Sequence, residues 1–271
     1  MEEFLEEKFE TLKIEIDQSW VTIWLNRPKS KNSLSTKMSA ELFLVLNSIA
    51  EVKKIRGVAL RGVKNCFCAG ADLKEFKDNF LDKNKSRSDI IKISEDLALL
   101  LKRLHSMPQI AVALVEGPAL AGGLGLACCT DFVFATKESF FSLSETRIGL
   151  SPAQISPYVI ERIGKRRARH LMLKGERLTA EDAASYGLVD ETLENSKKLS
   201  EFFEIFKDSC KTIGPAAVAI TKQVISDSDR VIPSKRTNYL AKKFADCMIS
   251  KEGKEGILAF SQKRNPKWAA Q

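Results

Sequence analysis

Apolar residues along the chain recur with two periods, and the change from one to the other marks the elements. Short alternating or continuous apolar runs predict strands, and repeats every three to four residues predict helices. Residues 9–16 and 20–25 read as paired strands around a turn at Asp17-Gln18-Ser19. Asn26-Arg27-Pro28 closes the second strand, since proline has no N–H for a ladder, and a polar loop runs on to Ser35. Met38, Leu42, Val45, Leu46, Ile49 and Val52 keep helical spacing over 36–54 behind Ser35, a predicted N-cap. A strand is predicted at 57–61, a polar and mobile loop at 78–88, and an amphipathic helix at 89–105 that ends on a solvated His105. Gln109 to Val115 reads as a buried strand.

The second half continues the alternation. Short strands are predicted at 132–135 and 139–142, then helices at 152–161 and 165–173 with Gly164 between them. Thr179 followed by Asp182 has a capping-box pattern and starts a short helix that stops near Gly187; a last extended piece covers 188–191. From Ser196 onward the pattern is helical, interrupted at Gly214-Pro215, Ile232-Pro233 and Gly253. Strands alternating with helices predict an α/β core over 1–195, followed by a helical region over 196–271.

Composition narrows the class. With 271 residues, 44% of them hydrophobic, the chain is long enough for a large core, and no apolar run has the length of a membrane span. The acidic N-terminus, Met1 to Lys8, reads as neither a secretory signal nor an Arg-rich transit peptide. Six cysteines form no C-x-x-C spacing and the two histidines lie far apart, so no metal site is expected and a reducing, cytoplasmic setting fits. Cys128 and Cys129 are expected as small apolar fillers of a buried helix. The net charge is +8, but the basic residues are scattered beside amphipathic helices, which points to solvated faces more than to nucleic-acid binding. A ligand carrying several phosphates also suits that charge.

Candidate chemistry lies in two small-residue turns, each after a predicted strand. One is Phe67-Cys68-Ala69-Gly70-Ala71-Asp72-Leu73; the other is Gly117-Pro118-Ala119-Leu120-Ala121-Gly122-Gly123-Leu124-Gly125. The second fails as a dinucleotide fingerprint, because position 128 is Cys, and as a phosphate loop, because it lacks the Gly-Lys-Ser/Thr ending. Two such turns could each offer one backbone N–H to the same carbonyl oxygen, forming an oxyanion hole. Asp72 falls in the first turn of the following helix, where a carboxylate suits the dipole.

In order and spacing, these turns together with Leu25-Asn26-Arg27-Pro28 and Ser142-Leu143-Ser144-Glu145-Thr146-Arg147-Ile148-Gly149-Leu150-Ser151-Pro152 resemble the enoyl-CoA hydratase/isomerase (crotonase) superfamily over nearly the whole chain. The resemblance implies a spiral of β-β-α units and C-terminal helices that build trimers or paired trimers. It implies oxyanion donors at Ala69 and Gly122, and Glu145 as acid/base. Coenzyme A and acyl contacts are implied at Lys29, Ser30, Ala69, Gly70, Ala71, Asp72 and Gly122, with Lys263 reaching a neighbour's phosphates. Coenzyme A enters as part of the substrate, with no tightly bound cofactor. The helix position where many hydratases of this family carry a first glutamate is Gly125 here.

A finer resemblance, to bacterial methylglutaconyl-CoA hydratases and their isoprenoid-chain relatives, implies a branched or carboxylated acyl group. Arg147 and Lys74 are the basic residues considered for a second carboxylate. A single glutamate also serves a Δ3,Δ2-enoyl-CoA isomerase, which needs one base to move one proton, so hydration and isomerisation both stand. An RNA-binding protein on the same fold and a catalytically idle structural partner are the readings from other classes.

Overall fold

The computed structural model describes residues 9–81, 85–228 and 230–270. A six-stranded sheet runs through the core: β1 (Leu12–Asp17), β2 (Trp20–Leu25), β3 (Gly57–Gly62), β4 (Ile110–Val115), β6 (Phe132–Thr136) and β9 (Glu191–Leu193), in that order across the sheet. Only the β1/β2 pair is antiparallel. Every residue of β4 is buried, which explains its unbroken apolar run: a central parallel strand is covered on both faces.

A second sheet of three-residue strands stands beside the first: β5 (Pro118–Leu120), β7 (Phe140–Ser142) and β8 (Arg177–Thr179). The isolated bridge Cys68↔Ala119 adds the first small-residue turn to its edge. Three successive strands of the large sheet therefore each lead into a short piece of the small one and then into a helix. β3 passes through Cys68 to α2 (Leu73–Leu81) and α3 (Arg87–His105). β4 passes through β5 to α4 (Gly122–Cys128), and β6 through β7 to α5 (Ser156–Lys174). This is the repeating β-β-α spiral.

One face of the large sheet packs against α1 (Thr36–Ala50), α3, α4 and α5 through Met38, Leu42, Leu46, Leu101, Leu104, Leu124 and Val159. The other face carries an aromatic cluster, Trp20, Phe134 and Phe203, with Phe202 and Phe206 packed on it from α7 (Ser196–Cys210). Trp20 meets Phe203 edge-on at 5.4 Å, and Phe134 meets Phe202 at 5.0 Å. The helical region thus begins at Ser196, capped by Asn195, and its first helix doubles as the cover of the sheet. The expected helices follow: α8 (Pro215–Asp227), α9 (Pro233–Ile249) and α10 (Lys251–Ser261). α8 is latched to the core by Lys222, whose ammonium meets Asp131 at 2.6 Å and the Gln109 carbonyl at 3.0 Å. Arg56 gathers the carbonyls of Cys210, Lys211, Ile213 and Trp268, capping α7 and pinning the chain's last turn.

Helix caps fall where expected at Ser35, which accepts from Met38 N–H, and at Thr179, which accepts from Asp182 N–H. α6 (Ala180–Tyr186) follows that second cap. Several boundaries differ from expectation. The polar stretch 78–88 is not one loop, since α2 extends through Leu81 and a reciprocal Ser86/Asp89 capping box starts α3 at Arg87; residues 82–84 of it lie outside the described residues, as does the N-terminal stretch 1–8. Residues 152–155 are not helical, whereas the two helices expected on either side of Gly164 are present: α5 is broken by non-helical backbone at that glycine, φ 74° and ψ 156°. β7 falls within the strand expected at 139–142, whereas β5, which lies inside the glycine turn, and β8 were not expected. His105 is partly covered, facing Glu161 at 3.5 Å and lying tilted against the Tyr158 ring.

Candidate active site

The spiral brings the two small-residue turns against one another. Gly70, at φ 89°, has no space for a side chain: a Cβ there would lie 2.9 Å from the Ala121 Cβ and 3.0 Å from the Leu120 carbonyl. On Gly123 a Cβ would meet the Cys68 carbonyl at 2.4 Å, and on Gly122 it would meet Leu34 Cδ1 at 3.1 Å. Gly70 and Gly123 are each required by the approach of the other turn.

The backbone hydrogen bonds decide which amides are left for a ligand. Ala69 N–H donates to the Lys31 carbonyl at 3.1 Å, so it is not the expected oxyanion donor. The chain then reverses at Gly70. Leu34 N–H donates to Gly70 O at 2.7 Å, and Asp72 N–H donates to Leu34 O at 2.9 Å. In this parallel bridge Leu34↔Ala71 the Ala71 N–H points away from Leu34, and it has no acceptor among the described residues. Gly122 N–H, at the first position of α4, likewise has none. Ala71 and Gly122 are thus among the junction amides that have no acceptor among the described residues, together with Gly70, Gly123 and Leu124.

Ala121 sets the direction of the second one. Its φ of 47° and ψ of −119° are strained for a residue with a Cβ, and two bonds hold it there. Ala121 N–H donates to Ser142 O at 2.9 Å, and Ala121 O accepts from Gly125 N–H at 3.0 Å. Ser142 ends β7, so the same contact ties the donor turn to the segment that carries Glu145.

Glu145 opens a single 3-10 turn, Glu145–Ile148, that Gly149 closes at φ 76°. Its carbonyl accepts from Leu150 N–H at 3.0 Å. One carboxylate oxygen, Oε2, is buried with no hydrogen-bond partner. Burial pushes its pKa above the ordinary carboxylate range, against a smaller opposing pull from its own amide. Arg147 does not pair with it; that guanidinium turns to the Lys174 carbonyl and packs by Gly175. Glu145 makes no ion pair among the described residues.

The remaining expected site residues divide. Asp72 is scaffold: its carboxylate pairs with Arg27 at 2.7 Å and accepts from the Lys74 and Glu75 amides. Burial would raise its pKa, but Arg27 and those amides outweigh it and hold the group low. Lys29 and Ser30 sit on the turn Pro28–Ser30, one residue before the Lys31 carbonyl that holds Ala69; Ser30 Oγ donates to Arg27 O. Lys263 lies past α10, where its one recorded bond is from its N–H to Phe260 O, and nothing ties it to the two turns among the described residues. Lys74 is exposed on α2.

Asn32 and Arg27 were not singled out beforehand as residues that shape the site. Asn32, fully buried at φ 53°, accepts from Arg27 N–H and donates to the Val63 and Cys66 carbonyls, fixing the first turn from below. The cue was the Asn-Arg-Pro run and an asparagine in a loop, a residue that tolerates left-handed backbone. Buried Cys68, beside the turn, is pushed up to about 12 by desolvation and is no nucleophile near neutral pH. No cluster of three or more His, Cys, Asp or Glu able to hold a metal occurs among the described residues.

The two small-residue turns thus abut within the α/β spiral, and the segment that carries Glu145 is tied to the second of them through Ser142. The chain belongs to the enoyl-CoA hydratase/isomerase family, whose model matches residues 15–271. The solved structure of AtuE from Pseudomonas aeruginosa is 36% identical, superposes with a TM-score of 0.92, and aligns over 96% of this chain and 100% of that one. A putative enoyl-CoA hydratase from Thermus thermophilus is 29% identical across 94% of this chain and 100% of the relative. The human mitochondrial methylglutaconyl-CoA hydratase is 27% identical across 92% and 73% respectively.

Proposed function

We propose that the protein is an enoyl-CoA hydratase that uses Glu145 as its acid/base and the amides of Ala71 and Gly122 as its oxyanion hole. The observation that carries this reading is the buried, unpartnered Oε2 of Glu145, on the segment tied through Ser142 to the turn that frees Gly122 N–H. Polar groups buried without partners cost stability, and a ligand that completes them explains their retention. Coenzyme A is the handle of the substrate, not a resident cofactor, and the turn with Lys29 and Ser30 lies on its side of the site.

The Glu145 carboxylate takes a proton from water as the oxygen adds to C3. Charge moves to the thioester oxygen, where Ala71 and Gly122 N–H stabilise the enolate; losing one such donor costs about 3 kcal/mol. The protonated Glu145 then returns its proton to C2, so one water is added overall. A pKa raised by burial suits a group that both takes and gives a proton near neutrality.

The acyl group we assign is branched, in line with the methylglutaconyl-CoA hydratase among the relatives. With Arg147 committed to Lys174 O, exposed Lys74 is the remaining candidate for a second substrate carboxylate, which favours a neutral branched chain over a carboxylated one. Isomerisation is the second reading. It is favoured by Gly125, where a Cβ would lie 2.3 Å from Ile155 and no second carboxylate fits. We also assign the outward apolar side chains of α8, α9 and α10 to contacts with further copies in a trimer or paired trimers, with Lys263 near a neighbouring copy's coenzyme A.

The test is the conjugated enoyl-thioester absorbance. With 3-methylcrotonyl-CoA and 3-methylglutaconyl-CoA, a catalytic loss of the band that disappears in Glu145→Gln supports hydration. A band that grows from a 3-enoyl-CoA, with no loss from any 2-enoyl-CoA, assigns the site to isomerisation instead.

A further inference from the structure

Position 125 lies one helical turn beyond Gly122, on nearly the same face of α4. A Cβ on Gly125 would fall 2.3 Å from Ile155 Cγ2 and 2.9 Å from its Cβ. Ile155 is therefore seated in a notch that exists because residue 125 has no side chain. It is 3% exposed and ends the segment that starts at Glu145. Its neighbour Gln154 donates to Ser94 Oγ at 2.7 Å, so that segment is clamped between α3 and α4.

We propose that Ile155 is a specificity-determining residue, its side chain forming the apolar wall that bounds the acyl group at the carbons next to the thioester. The inference rests on the reading that Gly122 holds the thioester oxygen and Glu145 serves C2, and goes beyond it in naming what limits the substituent on C3. A carbonyl held at Gly122 N–H would lie one helical turn along α4 from the notch that Ile155 fills. The same segment brings Glu145 to those carbons from its other end. A branched aliphatic side chain at this point offers no hydrogen bond, so it keeps water and carboxylates off that wall and sets the width available. One methylene of difference in such a pocket discriminates about 10- to 200-fold.

The test uses saturated thioesters, so that binding is read without turnover. Isovaleryl-CoA and 3-phenylpropionyl-CoA, which differ in the bulk attached at C3, are titrated calorimetrically into the wild type, Ile155→Ala and Ile155→Val. The expected result is a wild type that prefers isovaleryl-CoA, an alanine variant whose affinity ratio moves toward 3-phenylpropionyl-CoA by about tenfold, and a valine variant that moves about two- to threefold the same way. If the alanine variant does not fold, the valine ratio decides. An unchanged ratio in a folded variant overturns the inference. A wild type that binds neither thioester overturns the reading of the site itself, a separate outcome. The notch has its own readout: Gly125→Ala lowers Tm in the wild type and less in Ile155→Ala, and equal losses in the two backgrounds contradict the contact.

Discussion

The spiral core and the C-terminal helices are both unfinished, in opposite ways. In the core, at the two turns and at Glu145, polar groups lie without partners among the described residues: the amides of Ala71 and Gly122 and the Oε2 of Glu145. On the C-terminal helices, apolar groups lie without cover. Phe260 is 88% exposed, Ile249 70% and Phe244 68%, and α8 and α9 bury no residue at all. Unmatched hydrogen-bonding capacity calls for a polar ligand, and unmatched apolar area calls for another surface. Each region is well anchored despite its deficit: the turns interlock through glycines, and the helices are held by Lys222 and Arg56. On the reading proposed above, the first deficit is met by a small molecule and the second by a further chain.

The largest expected effect is on the core. Glu145→Gln should lower kcat by roughly 10³-fold, the range of general acid–base catalysis, in any enoyl-CoA assay that the wild type passes. The same variant should be more heat-stable. A carboxyl whose folded pKa is raised destabilises the fold only when ionised, so the gain in Tm should be absent below about 4.5, the ordinary glutamate value, and grow as pH rises through the raised one. A Tm difference that shrinks with rising pH would contradict burial of this carboxyl. Gly70→Ala comes next. It forces a Cβ onto Ala121 at a positive φ, and should cost about 1–3 kcal/mol by chemical denaturation and roughly 10²-fold in kcat as the donors shift.

The comparison is sharpened from its other side by Phe244→Glu with Ile249→Glu. Charging the exposed face should lower the mass seen by sedimentation equilibrium, with helix content kept. An unchanged mass would mean that the face has another use. The smallest effect is expected from Ala121→Gly, which relieves a left-handed backbone held by Ser142 O and Gly125 N–H. It should raise stability by about 1 kcal/mol with activity nearly unchanged.

Helices were legible in the sequence because their cores repeat: Met38, Leu42, Leu46 and Ile49 mark the buried side of α1 directly. Of the small sheet only β7 was legible, from its Phe140-Phe141 pair; β5 was not, because it lies inside the glycine turn. Of the two amides expected as donors, Gly122 N–H is left without an acceptor among the described residues and Ala69 N–H is not, which is why the proposal moves the first donor to Ala71. Ala69 and Ala71 are equivalent small residues in one dimension, and only the positive φ of Gly70 sends the first amide into the scaffold and frees the second. Hydrogen-bond direction is a property of the backbone that side-chain identity does not encode. The Gly125–Ile155 contact was invisible for a related reason: it joins residues thirty positions apart with no shared pattern.

The central claim, that Glu145 and the amides of Ala71 and Gly122 act together on a thioester, is tested most directly by solvent exchange. Butyryl-CoA in D2O is followed by proton NMR with wild type and with Glu145→Gln. The chemistry needed is removal of a C2 proton with charge held on the thioester oxygen, common to hydration and isomerisation. Deuterium entering C2 with the wild type and not with the variant is the predicted result. Exchange at equal rates in both, or in neither, would contradict it.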